Sequence, residues 1–546
     1  MRSSALHRAI VSGIFLVILT LALLSARTST AQDGKRTPLP HSVRIQNGKL
    51  QGYFTADRQV IAYKGIPYAQ PPIEELRWRP PIPLGKWKGT LSAQEFGPHC
   101  LQSISYPDMV FHDPAASEDC LTLNVWTPAS TAASHPAHNL PVMVWIYGGG
   151  FLSGGTSENR QDGEFLAQHG VIVVSMNYRL GIFGFFALPE LTGESPTHSS
   201  GNYGLMDQAA ALAWVHQNIA AFGGDPNNVT LFGQSAGSMS VSAQMASPIA
   251  NTLFARAIGQ SGSEFPSAGR AMPTLTQAEQ ADDTWATRTF GSDRLFYLRQ
   301  LPAEELLEAA ASRDHIAPRF GPIVDGYFLP DSVAHIFADG KQAHIPLLAG
   351  WVADEQHTTR PPTPEELTAH LQHDFGADAQ QALTFYPAST PAEAIRSAND
   401  YAGDRFIAYA TWAWIEAHSR TGNAPVYRYF FDLPSPGDRN HPASLGAFHS
   451  DDIEYVFGTL DSRPGITLRP EDHALSTLMQ QYWINFARTG NPNGPGLQQW
   501  PVYNRAATAQ TDTHPVMHLD ANSAASPDTL RPRYLFLDQF WGMQTK

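Results

Sequence analysis

Residues 228–240 read Asn228-Val229-Thr230-Leu231-Phe232-Gly233-Gln234-Ser235-Ala236-Gly237-Ser238-Met239-Ser240, and the two halves ask for different backbones. Asn228 to Phe232 is apolar and β-branched, as a buried strand requires. Ser238 to Met245 carries small and apolar residues suited to a packed helix. Between them stands Gly-x-Ser-x-Gly, a strand–turn–helix elbow that pushes a serine hydroxyl out of the sheet. Both flanking positions must be glycine, because a side chain would meet the strand or the helix. The helix N-terminus brings backbone N–H groups and a positive dipole end to the serine. Ser235 is therefore the candidate nucleophile.

A nucleophile of this kind needs an oxyanion hole upstream and an acid and a histidine downstream. Leu140 to Tyr147 is an apolar strand, followed by Gly148-Gly149-Gly150-Phe151. Glycines there let N–H groups turn inward with no side chain in the way. Gly149 and Gly150, with the N–H of Ala236, are the candidate oxyanion donors.

Several other stretches share one pattern. They are Gly65-Ile66-Pro67-Tyr68-Ala69-Gln70-Pro71-Pro72 with Leu76-Arg77, and Ser117-Glu118-Asp119-Cys120-Leu121-Thr122-Leu123-Asn124-Val125. Asn177-Tyr178-Arg179, Gly201 to Gln208 and Phe222-Gly223-Gly224-Asp225-Pro226 then lead into the elbow. From about Val43 to its C-terminus the chain resembles the type-B carboxylesterases, which include cholinesterases, liver-type carboxylesterases and bacterial para-nitrobenzyl esterases. The resemblance implies an α/β-hydrolase fold: a large, mostly parallel sheet flanked by helices, with helical cap insertions.

The resemblance also places the remaining machinery. The family's acid follows a short strand in a Gly-x-x-x-Asp-Glu-Gly stretch, which matches Gly350-Trp351-Val352-Ala353-Asp354-Glu355-Gln356 and implies Glu355, with Asp354 the neighbouring alternative. Gln356 replaces the usual glycine. The family's histidine precedes an acidic and apolar run, as His449 does before Ser450-Asp451-Asp452-Ile453-Glu454-Tyr455. His344 and His357 lie near the acid but match nothing. Ser261 resembles a serine that helps orient the site, and a turn or capping role is an equal alternative. The family closes its first disulfide at the positions of Cys100 and Cys120, the chain's only cysteines. Many members carry Glu where this chain has Gln234. A neutral residue there predicts an acid limb of kcat/KM not displaced upward by a neighbouring carboxylate, and a preference for neutral over quaternary-ammonium esters.

The implied chemistry is ester hydrolysis through an acyl-enzyme. His449 takes the Ser235 proton and returns it to the leaving alcohol, while Glu355 orients the imidazole. The competing reading is an inactive adhesion or binding member of the same fold, which an intact Ser235, Glu355 and His449 disfavours. A cholinesterase is disfavoured because the Cys100–Cys120 loop holds no tryptophan.

Length and composition fit this frame. The 546 residues show no linker or repeat, so one large domain over 32–546 is expected, with helix-prone insertions at 272–320 and 361–424. Arg2, His7 and Arg8 precede an apolar run from Ile10 to Leu24, and Ser29-Thr30-Ala31 offers a cleavage site. Residues 1–31 thus read as a cleavable signal peptide, too short in its apolar run for an anchor, and predict a secreted or periplasmic protein. Removing its three arginines takes the formal net charge from −14 to −17. That opposes nucleic-acid and anionic-lipid partners and leaves a small-molecule ester as the expected one. There is no phosphate-binding glycine loop and no histidine cluster at metal-ligand spacing, so no cofactor or metal is expected. Asn228-Val229-Thr230 is a formal glycosylation sequon, but it lies in the strand feeding the elbow and reads as a packing segment. Nothing in the sequence sets the oligomeric state.

Overall fold

The computed structural model describes residues 39–542, apart from 104–105, 107, 133–136, 269–270, 313–315 and 504–513. The expected signal peptide at 1–31 lies outside the described residues.

One twisted sheet organises the chain. Its strands are β1 (Pro40–Arg44), β2 (Lys49–Phe54), β3 (Val60–Pro67), β4 (Thr90–Ser92), β5 (Thr122–Pro128), β6 (Leu140–Ile146) and β7 (Ile172–Met176). They continue with β8 (Gly224–Gln234), β9 (Arg256–Gln260), β10 (Leu347–Val352), β11 (Val426–Phe431), β12 (Pro515–Leu519) and β13 (Ala524–Pro527). The order is β1-β2-β3-β5-β7-β6-β8-β9-β10-β11-β12-β13, with β4 beside β2. From β7 to β12 every neighbouring pair is parallel. Antiparallel strands sit at both edges.

The burial explains the sequence. Parallel strands covered by helices on both faces become continuous apolar runs rather than alternating ones. β10 is buried along its whole length, and β6 after its first residue. Helices Tyr203–Asn218 and Ala236–Ala246 are buried over most of their lengths beside β8. Under the elbow Trp145, Phe232 and Phe457 form an aromatic triangle with ring centroids 4.8 to 5.7 Å apart. Each such pair adds about 0.5–1.5 kcal/mol beyond its buried area. The sequon asparagine, Asn228, accepts a hydrogen bond from Arg256 of β9 within this packing.

The segment between β9 and β10 folds into helices Leu275–Phe290, Leu295–Gln300, Ala303–Ala311 and Val333–Ala338. Between β10 and β11 stand Pro364–Phe375, Ala379–Phe385, Pro391–Gly403 and Tyr409–Thr421. Capping boxes at Thr274, Thr363 and Thr390 start three of these helices, each with Gln or Glu three residues on. A π-helical turn, Asp404–Ala408, joins the last two. Cys100 and Cys120 form a disulfide. Among the described residues no helix is long and apolar enough to cross a membrane.

Candidate active site

The C-terminal ends of β6, β8 and β10 point to one edge of the sheet, where open α/β sheets gather ligands. Ser235 follows β8 with φ 56° and ψ −124°, a conformation side chains rarely adopt. The surroundings enforce it. A Cβ on Gly237 would stand 2.0 Å from the Ile146 carbonyl oxygen, and one on Gly233 would stand 2.5 Å from the Gly237 carbonyl carbon. Both obstacles are backbone, so only glycine fits. The Ser235 N–H donates to the Gln260 carbonyl (2.9 Å), and its own carbonyl accepts from Met239 N–H (2.9 Å), starting the helix.

Two other chain segments meet this hydroxyl. Ser235 Oγ lies 2.9 Å from His449 Nε2, and His449 Nδ1 lies 2.5 Å from Glu355 Oε2. Glu355 is buried, and its Oε1 accepts from Val352 N–H at 3.1 Å. With the carboxylate on Nδ1, the network assigns the ring proton to Nδ1 and leaves the Nε2 lone pair toward Ser235. Asp354 does not reach the imidazole. It stitches β10 to the histidine loop instead, through Asp354 N–H to Ala447 O (2.9 Å) and Ala447 N–H to Asp354 Oδ2 (3.1 Å). Gln356 stands where the family pattern has glycine, and its backbone is not in the left-handed region, so the replacement brings no strain.

Gln234 Nε2 lies 3.2 Å from His449 Nε2, so the residue faces the imidazole as its position beside the nucleophile suggested. Gly149 and Gly150 have φ of 110° and 66°, open to glycine alone at little cost. Their N–H groups donate to nothing among the described residues. The N–H of Ala236, first in its helix, has no partner within that helix. Met109, in the loop the disulfide closes, covers this turn, its Cε 3.1 Å from where a Gly149 Cβ would sit. Ser261 is fully buried with φ 53°, its N–H bonded to Gly350 O (2.8 Å). Its hydroxyl makes no turn or capping bond among the described residues.

Three supports escaped the sequence reading. The π-helical turn carries Phe406, whose ring meets His449 edge-on with centroids 5.0 Å apart. Asp452 is fully buried with Tyr429 donating to its Oδ2 at 2.8 Å, and burial pushes its carboxyl up to about 6 despite that bond. Asp451 is ion-paired with buried Arg463 (2.5 Å), which also holds Glu454 (3.0 Å), and burial still pushes Asp451 up to about 7. The acidic run after His449 was visible in the sequence, but its partners, Tyr429 and Arg463, were not.

Residues 40–534 match the model of the carboxylesterase family. The chain belongs to that family. It is 38% identical over 487 residues to the para-nitrobenzyl esterase of Bacillus subtilis, covering 85% of this chain and 92% of that one. It is 36% identical over 508 residues to the fumonisin B1 esterase of Sphingopyxis macrogoltabida, covering 87% of each. A solved PNB esterase superposes with a TM-score of 0.77 at 36% identity, covering 91% of this chain and 99% of that one. This carboxylesterase is a carboxylic ester hydrolase of the α/β-hydrolase fold.

Proposed function

We propose that this carboxylesterase cleaves esters through an acyl-enzyme on Ser235. The observation that carries the reading is the unbroken line Ser235 Oγ, His449, Glu355, each link within hydrogen-bond reach. His449 Nε2 removes the hydroxyl proton as Ser235 attacks the carbonyl, then delivers it to the departing alcohol. Glu355 stabilises the imidazolium without taking the proton. The N–H groups of Gly149, Gly150 and Ala236 receive the oxyanion, each donor worth roughly 3–4 kcal/mol by analogy with measured cases. Water then attacks the acyl-enzyme with the same base, and the alcohol and acid leave in turn.

The insertion between β10 and β11 reaches the site through Phe406, whose ring packs on the imidazole. The substrates proposed are small carboxylic esters such as para-nitrobenzyl esters, supported by the name of the Bacillus subtilis relative. The protein acts after export and removal of residues 1–31, with Cys100 and Cys120 oxidised.

The test is p-nitrophenyl acetate turnover by Ser235→Ala, Glu355→Gln and His449→Ala. Ser235→Ala and His449→Ala each lose about 10⁴- to 10⁶-fold in kcat with unchanged melting behaviour, and Glu355→Gln loses somewhat less. A Ser235→Ala protein that turns over at a near-normal rate refutes the mechanism.

A further inference from the structure

One carboxylate on the loop that packs on the elbow makes no hydrogen bond or ion pair among the described residues. Glu264 lies three residues after Ser261, on the loop that leaves β9 and packs on the elbow. That loop is tightly held. A Cβ on Gly262 would be 2.6 Å from the Ser235 carbonyl oxygen, and Ser238 Oγ donates to the Gly262 carbonyl (2.6 Å). Ser263 Oγ donates to Ala410 O (2.7 Å), and the Glu264 N–H donates to Ser242 Oγ (2.9 Å). The backbone of Glu264 is thus fixed, while its carboxylate makes no hydrogen bond or ion pair among the described residues.

The carboxylate lines a cavity of about 130 Å³ together with Met239, Ser263, Arg319, Phe406 and Ala410. Met239 sits one turn into the helix that Ser235 begins, and Phe406 is the ring that packs on His449. The space matches about four water molecules at roughly 30 Å³ each. It suits a small polar chain end. Burial pushes the Glu264 carboxyl up to about 7, and Arg319, which also lines the cavity, opposes this. Glu264 is half-buried, and a ligand that donates to its carboxylate and carries a positive charge would replace solvent there with a charge-assisted hydrogen bond.

We propose that Glu264 is a specificity-determining residue that selects esters whose acyl chain ends in a protonated primary or secondary amine. The acyl side is assigned because the acyl group is what stays on Ser235, and the cavity is built from the helix and loop packed on that residue. The inference rests on the acyl-enzyme reading of Ser235. The preference for neutral over quaternary-ammonium esters expected from Gln234 concerns the space beside His449. Glu264 instead asks for an ammonium with N–H donors, which a quaternary one lacks.

The experiment compares p-nitrophenyl esters of ω-amino acids of graded length with alkyl isosteres in which a methyl replaces the ammonium. The kcat/KM ratio is read near pH 8, where the amine is charged and Glu264 is ionised. At the chain length that reaches Glu264, the wild type favours the ammonium ester roughly tenfold or more, as for a hydrogen bond to a charged partner. Glu264→Gln collapses the ratio toward about one, and Arg319→Ala, which removes the competing cation, raises it a few-fold, by about twofold to fivefold. A wild-type ratio near one at every length, a preference that survives Glu264→Gln, or one found only for amines on the alcohol side overturns the proposal. Should Glu264→Gln not fold, Arg319→Ala decides alone, and an unchanged or smaller ratio refutes the assignment. Failure of the triad reading shows differently, as turnover of both esters by Ser235→Ala.

Discussion

Ser235 and His449 face each other across 2.9 Å, yet different forces hold them. Ser235 is held by crowding. Backbone atoms of β6 and of the elbow itself fill every place where a side chain at 233 or 237 would go. His449 is held by polar contacts and buried charge: Glu355 on its ring, Asp354 on its loop, and Arg463 between Asp451 and Glu454. Crowding tolerates no substitution and is indifferent to pH. Charge can be rebuilt by changing partners together, and it titrates.

The sharpest way to break this contrast is Gly237→Ala. A new Cβ 2.0 Å from a backbone oxygen cannot be relieved by a rotamer change. We expect a loss of more than about 4 kcal/mol in stability, or more than roughly 1,000-fold in kcat if the protein folds. Urea unfolding and p-nitrophenyl acetate turnover read both, and no neighbouring single substitution restores them.

Arg463→Ala is the counterpart on the histidine side. It strands Asp451 and Glu454 in the interior, which costs about 3–5 kcal/mol. Adding Asp451→Asn and Glu454→Gln recovers much of that loss in the same unfolding assay. A triple variant as unstable as the single one would mean that this region is also held by shape.

Asp452→Asn is smaller and has a definite sign. The Asp452 carboxyl sits at about 6 in the fold, above the ordinary aspartate value near 3.9. Its ionisation therefore destabilises the fold: the penalty is absent below about pH 4 and complete above about pH 6. The asparagine variant keeps an acceptor for Tyr429. It gains on the order of 2 kcal/mol at pH 7 relative to its difference from wild type at pH 4. A pH series of unfolding midpoints measures this gain.

Gln234→Glu is the smallest effect. A carboxylate replacing an amide 3.2 Å from His449 Nε2 favours the charged ring. The acid limb of kcat/KM for a neutral ester moves to higher pH by about one unit or less, since solvent screens the pair. An unmoved limb, or one displaced to lower pH, would mean that the contact is not made in solution.

The same contrast decides what was legible in the sequence. Crowding leaves a compositional mark, because only glycine survives it, so Gly233, Gly237, Gly148 and Gly149 could be read directly, with Gly150 beside them marked by its left-handed backbone. The parallel core was legible for a similar reason: strands buried on both faces become apolar runs such as 140–147. Polar support leaves no local mark. Asp451 is explained by Arg463 twelve residues away, and Asp452, at the start of a helix, by Tyr429 on β11. Glu355 and His449 were placed by resemblance, since nothing in their own neighbourhoods separates them from other acids and histidines. Phe406 was invisible because a π-helical turn aims it, and Glu264 looked like any loop acid until its cavity was seen.

The proposed mechanism requires the elbow to present Ser235, and no other residue, to the ester carbonyl. The most direct measurement is mass spectrometry of enzyme acid-quenched during turnover of a slow p-nitrophenyl ester. The expected result is one acyl adduct, on the peptide carrying Ser235, that disappears in Ser235→Ala and accumulates in His449→Ala wherever acylation still occurs. An adduct on another residue, or steady hydrolysis with Ser235 absent, would contradict it.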